Sequence, residues 1–264
     1  MDTSYIDTSA LLKERRDPKY RLEIIEQNLS LVKKMIADSV SEDTFIIQAI
    51  NSIEELDKVC NTLAKRMREW YGYYFPELGK SIEDNEVFVK RLLQKSKKEL
   101  MQEYGLDISM GPEISQNDLD AILTFARQIN DMYVQREQLI KYLEELMKVY
   151  CPNIHAVVGA LIGAKLLEKA GSLKHMAWMP SSTIQLLGAE QALFRHLRNK
   201  RIRPPKHGFI LSHPFVMNAS RQDKGKVSRM LAAKISIATK VDYFKGEFIG
   251  DRLKEELEKQ LARK

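Results

Sequence analysis

At 264 residues, with 44% hydrophobic and 30% charged side chains, the chain is long enough and apolar enough to bury a core, which excludes an intrinsically disordered protein. Its two cysteines, Cys60 and Cys151, stand too far apart for a zinc ribbon or a disulfide framework, and no apolar run approaches the roughly 20 residues of a membrane span. The net charge of +6 hides a split: residues 1–150 carry 21 Lys and Arg against 27 Asp and Glu, whereas residues 151–264 carry 21 against 9.

The first residues are charged and irregular, with no secretory signal, and residues 21–35 allow one helix with Leu22, Ile25, Leu29 and Val32 on a face. From residue 42 the helical period dominates. Ile46, Ala49, Ile53, Leu56, Cys60, Leu63, Met67 and Trp70 step by three and four, which predicts an apolar seam on a helix over 42–71. Phe75-Pro76 stops it. A second helix is expected over 81–104, capped by Ser81 with Asp84 three residues on, and residues 105–112 break it. Asn117 is placed to cap a third. Along it Leu119, Ile122, Ala126, Ile129, Tyr133, Arg136, Ile140, Leu143, Met147 and Tyr150 again step by three and four. That seam implies on the order of 50 Å of helix at about 1.5 Å per residue. Arg136 is its one non-apolar position; snorkelling, pairing with an acid and setting register are all open to it. Two long seam-bearing helices joined through a shorter segment read as an antiparallel coiled-coil rod, although an ordinary bundle core also yields such stripes.

Pro152 ends the rod. Residues 154–170 are rich in Ala, Gly, Val, Ile and Leu and predict a tightly packed helix, with Gly159 and Gly163 four apart on a flat face. Gly171 closes it. Ser182 with Gln185 forms a candidate capping box for the next element, and Pro204-Pro205 and His213-Pro214 mark loops. A helix is expected from about 223–226 to 239. A last one, over 247–263, carries Phe248, Ile249, Leu253, Leu257 and Leu261 inward. The fold class expected is all-α, a long antiparallel coiled-coil rod and a compact helical domain, with room for a small α/β remnant at the N-terminus.

No catalytic constellation is visible. None of His155, His175, His196, His207 and His213 stands in a zinc-protease pattern or beside a nucleophile motif, and there is no phosphate-binding glycine loop. No metal, cofactor or catalytic residue is expected, so the chain reads as no enzyme. What remains is charge. Residues 195–234 hold eleven Lys and Arg and one acid, Asp223, a lopsidedness that favours nucleic acid over a merely solvated face. A helix after Gly188 would set Gln191, Arg195 and Arg198 along one side, so that Leu193, Phe194 and Leu197 cannot all share it and some face inward. Arg195 and Arg198 suit phosphates, and Gln191 and His196 can read a base or ribose edge. Lys200, Arg201 and Arg203 extend this set. A second set comprises Arg221, Lys224, Lys226, Arg229 and Lys234, with Gly225 offering close backbone approach to a phosphate. A helical adaptor whose basic face meets acidic proteins is the alternative.

Residues 188–197, Gly-Ala-Glu-Gln-Ala-Leu-Phe-Arg-His-Leu, resemble the Gly-Ala-Glu-Lys-Ala-Leu-Phe-Arg signature of the Nop domain. Pro152-Asn153, Ala170-Gly171-Ser172-Leu173, Pro180-Ser181-Ser182-Thr183, Lys226-Val227-Ser228-Arg229 and Ala238-Thr239-Lys240-Val241-Asp242 agree with it, in order. Arg68-Glu69-Trp70-Tyr71-Gly72 and Phe75-Pro76-Glu77-Leu78 resemble the family's coiled-coil motif. The resemblance covers about residues 39–264 and is to the Nop-domain scaffold proteins of archaeal box C/D small ribonucleoproteins. It implies a scaffold for guided 2′-O-ribose methylation of RNA, which serves rRNA processing. Its implied partners are kink-turn guide RNA, an L7Ae-like kink-turn-binding protein, fibrillarin (the methyltransferase) and a second copy bound through the coiled coil. It implies an intracellular, cytoplasmic location in a cell without a nucleus. The signature carries over to Gly188, Ala189, Glu190, Ala192, Leu193, Phe194 and Arg195, while Gln191 stands where the family has Lys. The expected organisation is a short N-terminal region over 1–40 with a candidate fibrillarin contact, a dimerising coiled coil over 41–150, and an RNA- and protein-binding Nop domain over 151–264.

Overall fold

The computed structural model describes residues 18–262, and all regular structure among them is helical. Helix α1 (Pro18–Ser39) carries the expected stripe and buries no residue. The N-terminal stretch preceding it, with any α/β remnant and the first part of the candidate fibrillarin contact, lies outside the described residues. Contacts divide the chain into two units between Thr44 and Phe45.

Helix α2 (Glu42–Gly72) starts just before that division and continues into the second unit, where three short helices follow: α3 (Pro76–Ser81), α4 (Asn85–Gln94) and α5 (Lys97–Glu103). Then comes the 35-residue α6 (Gln116–Tyr150). The single helix expected over 81–104 is therefore two. Asp84, not Ser81, caps α4 by accepting from Val87 N, and Ser96 with Glu99 forms a reciprocal capping box that starts α5. Ser81 instead ends α3, its hydroxyl donating to Glu77 O. Ser115, not Asn117, caps α6.

Helices α2 and α6 run antiparallel. Ile46, Ile50 and Ile53 share a core with Leu143 and Met147, whereas Cys60, Ala64, Met67 and Tyr71 share one with Ile122, Ala126, Ile129 and Tyr133. Arg136 falls between the two clusters and pairs with Asp57 across the rod. Toward the far end the seam departs from expectation. Trp70 is 40% exposed and Tyr71 is buried instead. The reason is that α4 packs on α6 there, so Tyr71 meets Phe88 edge-on at 6.0 Å and the two-helix seam widens into a three-helix core.

Helix α7 (Pro152–Ala170) leaves the rod and forms the hub of the head. Gly163 does permit close packing, since a Cβ there would lie 2.7 Å from Met147 Cε. Gly159 serves otherwise: at φ 77° and ψ 169° it kinks the helix. The head continues through α8 (Leu173–Trp178), α9 (Ser181–Leu186), α10 (Glu190–Arg198), a 3₁₀ turn (Phe209–Ser212), α11 (Pro214–Met217), α12 (Lys224–Tyr243) and α13 (Gly250–Ala262); α8, the 3₁₀ turn, α12 and α13 pack on α7, and α9 and α11 pack on α12. The expected capping box of α9 does not form; Pro180 occupies its N-cap with no side-chain bond. Leu253 and Leu257 are buried as expected, but Phe248 precedes α13 and is 53% exposed.

One buried network joins the elements of the head. Asp242, near the end of α12, accepts from Asn153 N (3.0 Å), Asn153 Nδ2 (2.7 Å) and Ile154 N (2.9 Å) at the start of α7. Asn153 Oδ1 in turn accepts from Ile249 N at 2.7 Å. Burial pushes the Asp242 carboxyl above the usual range, and those three N–H donors pull against it.

Candidate nucleic-acid interface

The signature segment is positioned by its glycine. Gly188 has φ +88°, and a Cβ there would collide with the ring of Phe209 at 2.7 Å. The chain on either side is fixed by main-chain bonds: Gly208 N donates to Gln185 O and Phe209 N to Leu187 O, at 2.9 and 2.8 Å. Glu190 folds back so that its carboxylate accepts from Gly188 N at 2.6 Å, starting α10 with an acid at the favourable end of the helix dipole. Glu190 is thus a structural member of the expected set.

Helix α10 then does something its sequence did not announce. It buries no residue, and Phe194 and Leu197 stand 59% and 52% exposed. The expectation that some of Leu193, Phe194 and Leu197 face inward holds only for the half-buried Leu193. Gln191, Phe194, Arg195 and Arg198 line one surface cleft, so the expected side of Gln191, Arg195 and Arg198 exists and includes an aromatic ring. Arg195, His196 and Arg198 occupy the last turn, where cations complement the dipole. Past it, Asn199 Oδ1 accepts from Arg201 N at 3.1 Å and His196 Nδ1 meets Ile202 O, which curls the chain so that Lys200, Arg201 and Arg203 all point to solvent.

The second basic set divides. Arg221, Lys226 and Arg229 are exposed, and Lys224 is half-buried at the start of α12. Lys234 is held by Glu256 of α13 at 2.6 Å, with 11% of its side chain exposed, so its charge is already matched inside the head. The space beside Gly225 is taken by the aliphatic chain of Lys206, whose Cδ would be 3.3 Å from a Cβ there. That contact brings the basic loop after α10 against the start of α12, and it adds Lys206, which spacing along one helix could not reveal. Of the histidines, His213 is buried and its Nδ1 accepts from Phe215 N, capping α11. Burial holds it below the ordinary histidine range, so it is a neutral structural residue. Among the described residues no three of His, Cys, Asp and Glu come together as a metal set.

An antiparallel helical rod joined to a helical head, with an unburied arginine-bearing helix on that head, defines an all-helical class of protein with an exposed basic face. The chain belongs to the Nop family: the family model described as "Nop: snoRNA binding domain, fibrillarin" matches residues 52–263. It is similar to a NOP5 family protein of Methanocaldococcus jannaschii, 39% identical over 260 residues, covering 92% of this chain and 62% of the relative. It is also similar to nucleolar protein 58 of Lodderomyces elongisporus, 43% identical over 230 residues, covering 81% of this chain and 44% of that one. The chain thus spans only part of the length of these relatives. The crystal structure of a fibrillarin/Nop5p complex shares its fold, with a TM-score of 0.56 and 24% identity over 100% of this chain and 87% of that one.

Proposed function

We propose that this chain is an RNA-binding scaffold of the box C/D ribonucleoprotein that guides 2′-O-ribose methylation, and not itself an enzyme. It links kink-turn RNA and an L7Ae-like protein to fibrillarin and pairs with a second copy through the rod. The observation that carries this reading is α10: a helix that buries nothing and shows Phe194 and Leu197 beside Arg195 and Arg198. Exposed apolar groups among arginines suit a composite partner, protein for the apolar side chains and phosphate for the cations. The names of the relatives support the RNA and fibrillarin partners.

The test is binding of the chain to box C/D kink-turn RNA, with and without the L7Ae-like protein, across a salt series. Binding should strengthen with that protein and weaken with salt by roughly 0.7–0.9 log unit per log unit for each phosphate contacted. No binding at low salt with both present defeats the scaffold reading. Salt-sensitive binding to acidic proteins without binding to this RNA favours the adaptor.

A further inference from the structure

Away from α10 the head has a second feature with nucleic-acid chemistry. Where α6 turns into α7, a cavity of about 640 Å³ opens between the last turn of α6, the first turns of α7, the His213-Pro214 corner and the start of α13. Lys148 and Lys254 stand on its wall from α6 and α13. Both are exposed, and neither takes part in an ion pair among the described residues. Asp251 is the acid on the same wall, and Glu144 lies near enough to act on His155. Phe248 stands at the rim with 53% of its surface exposed. Its ring comes close to Gly250: a Cβ there would meet Phe248 Cε2 at 2.9 Å and Ala156 Cβ at 2.6 Å. The ring therefore lies against the glycine and leaves about half of its surface open to solvent. His155 and His213 complete the polar lining. Burial holds both below their ordinary range, and the charges of Lys148 and Lys254 respectively add to that.

We propose that this cavity binds single-stranded RNA, one base stacking on Phe248 while Lys148 and Lys254 hold the flanking phosphates. An exposed aromatic ring that shares a cavity with two cations outside any ion pair is a combination by which proteins grip unpaired nucleotides without reading sequence. The site is separate from α10 and shares no residue with its cleft. It rests on the reading of this chain as an RNA-binding protein, and it adds a grip on unpaired guide or target RNA to a grip on the kink-turn.

The test uses the full chain and a fluorescein-labelled uridine hexamer, which forms no kink-turn, followed by anisotropy across a salt series. Lys148→Gln/Lys254→Gln should weaken hexamer binding about tenfold or more and lower the salt slope by about 1.4, at about 0.7 per phosphate. Phe248→Ala should weaken it about tenfold with the slope unchanged. None of these three side chains is buried, so circular dichroism should match the wild type. Kink-turn binding should survive in all of these variants. Hexamer binding unaffected by either variant, or lost with Arg195→Ala instead, overturns the proposal. Loss of kink-turn binding in the wild type defeats the scaffold reading alone, because the hexamer assay reads the cavity separately. Equal competition by inorganic phosphate and by unlabelled hexamer, at equal phosphate concentration, would show a simple anion site and overturn the stacking claim.

Discussion

Asp242→Ala should destabilise the head by about 3 kcal/mol. The carboxylate is buried and accepts from Asn153 N, Asn153 Nδ2 and Ile154 N. Removing it strands three donors, two of them at the start of α7, where the helix itself offers no acceptor. Each buried orphan costs about 1–3 kcal/mol. Relief of a buried charge at the unfavourable end of α12 offsets part of that sum, which brings the net to about 3 kcal/mol. At about 2–4 °C per kcal/mol for a chain of this size, the melting temperature should fall by about 6–12 °C. Urea unfolding should show a lower midpoint with an unchanged slope. Asn153→Ala breaks the same network from its other side, so the double variant should lose much less than the two single losses added. A loss under about 1 kcal/mol for Asp242→Ala, or additive losses in the double variant, would refute the assignment of this network as the clamp of the head.

Stability should also fall in mild acid through His213. Its folded form binds a proton less readily than the unfolded chain, so its contribution is complete above the ordinary value of about 6.5 and is lost as pH drops below it. His213→Asn keeps an N-capping acceptor without titrating. The drop in urea midpoint from pH 7.5 to 5.5 should shrink in that variant, the remainder coming from His155; an unchanged drop contradicts the assignment. Arg195→Ala should cost about 1–3 kcal/mol of kink-turn RNA binding, whereas Glu144→Ala on the rod should leave it unchanged in a filter-binding assay. Gly188→Ala should destabilise by about 1–3 kcal/mol and disturb α10, since it meets both positive φ and the Phe209 ring; a calorimetric melt matching wild type would contradict this.

The sequence by itself determined the helical class and most of the two long seams, because a three-four step of apolar residues is a local property; only where α4 packs on α6 did the tertiary structure move the seam from Trp70 to Tyr71. Charge counts likewise separated an acidic rod from a basic head, and the words around Gly188 pointed to the family. Which cap starts a helix was only partly legible. Ser81, Asp84, Ser96, Ser115 and Asn117 are all competent, and the choice of Asp84, Ser96 and Ser115 was made by where the chain must turn. Tertiary structure alone decided which basic residues face outward. Lys234 and Lys226 look alike in sequence, yet one meets Glu256 from a helix 22 residues away and the other meets solvent. Lys206 reaches Gly225 across a loop. The exposed face of α10 could not be read from its strong apolar-to-basic segregation, since that pattern ordinarily signals a helix with a buried side. Burial depends on what neighbours supply, and the head supplies α10 with no cover for Phe194 and Leu197.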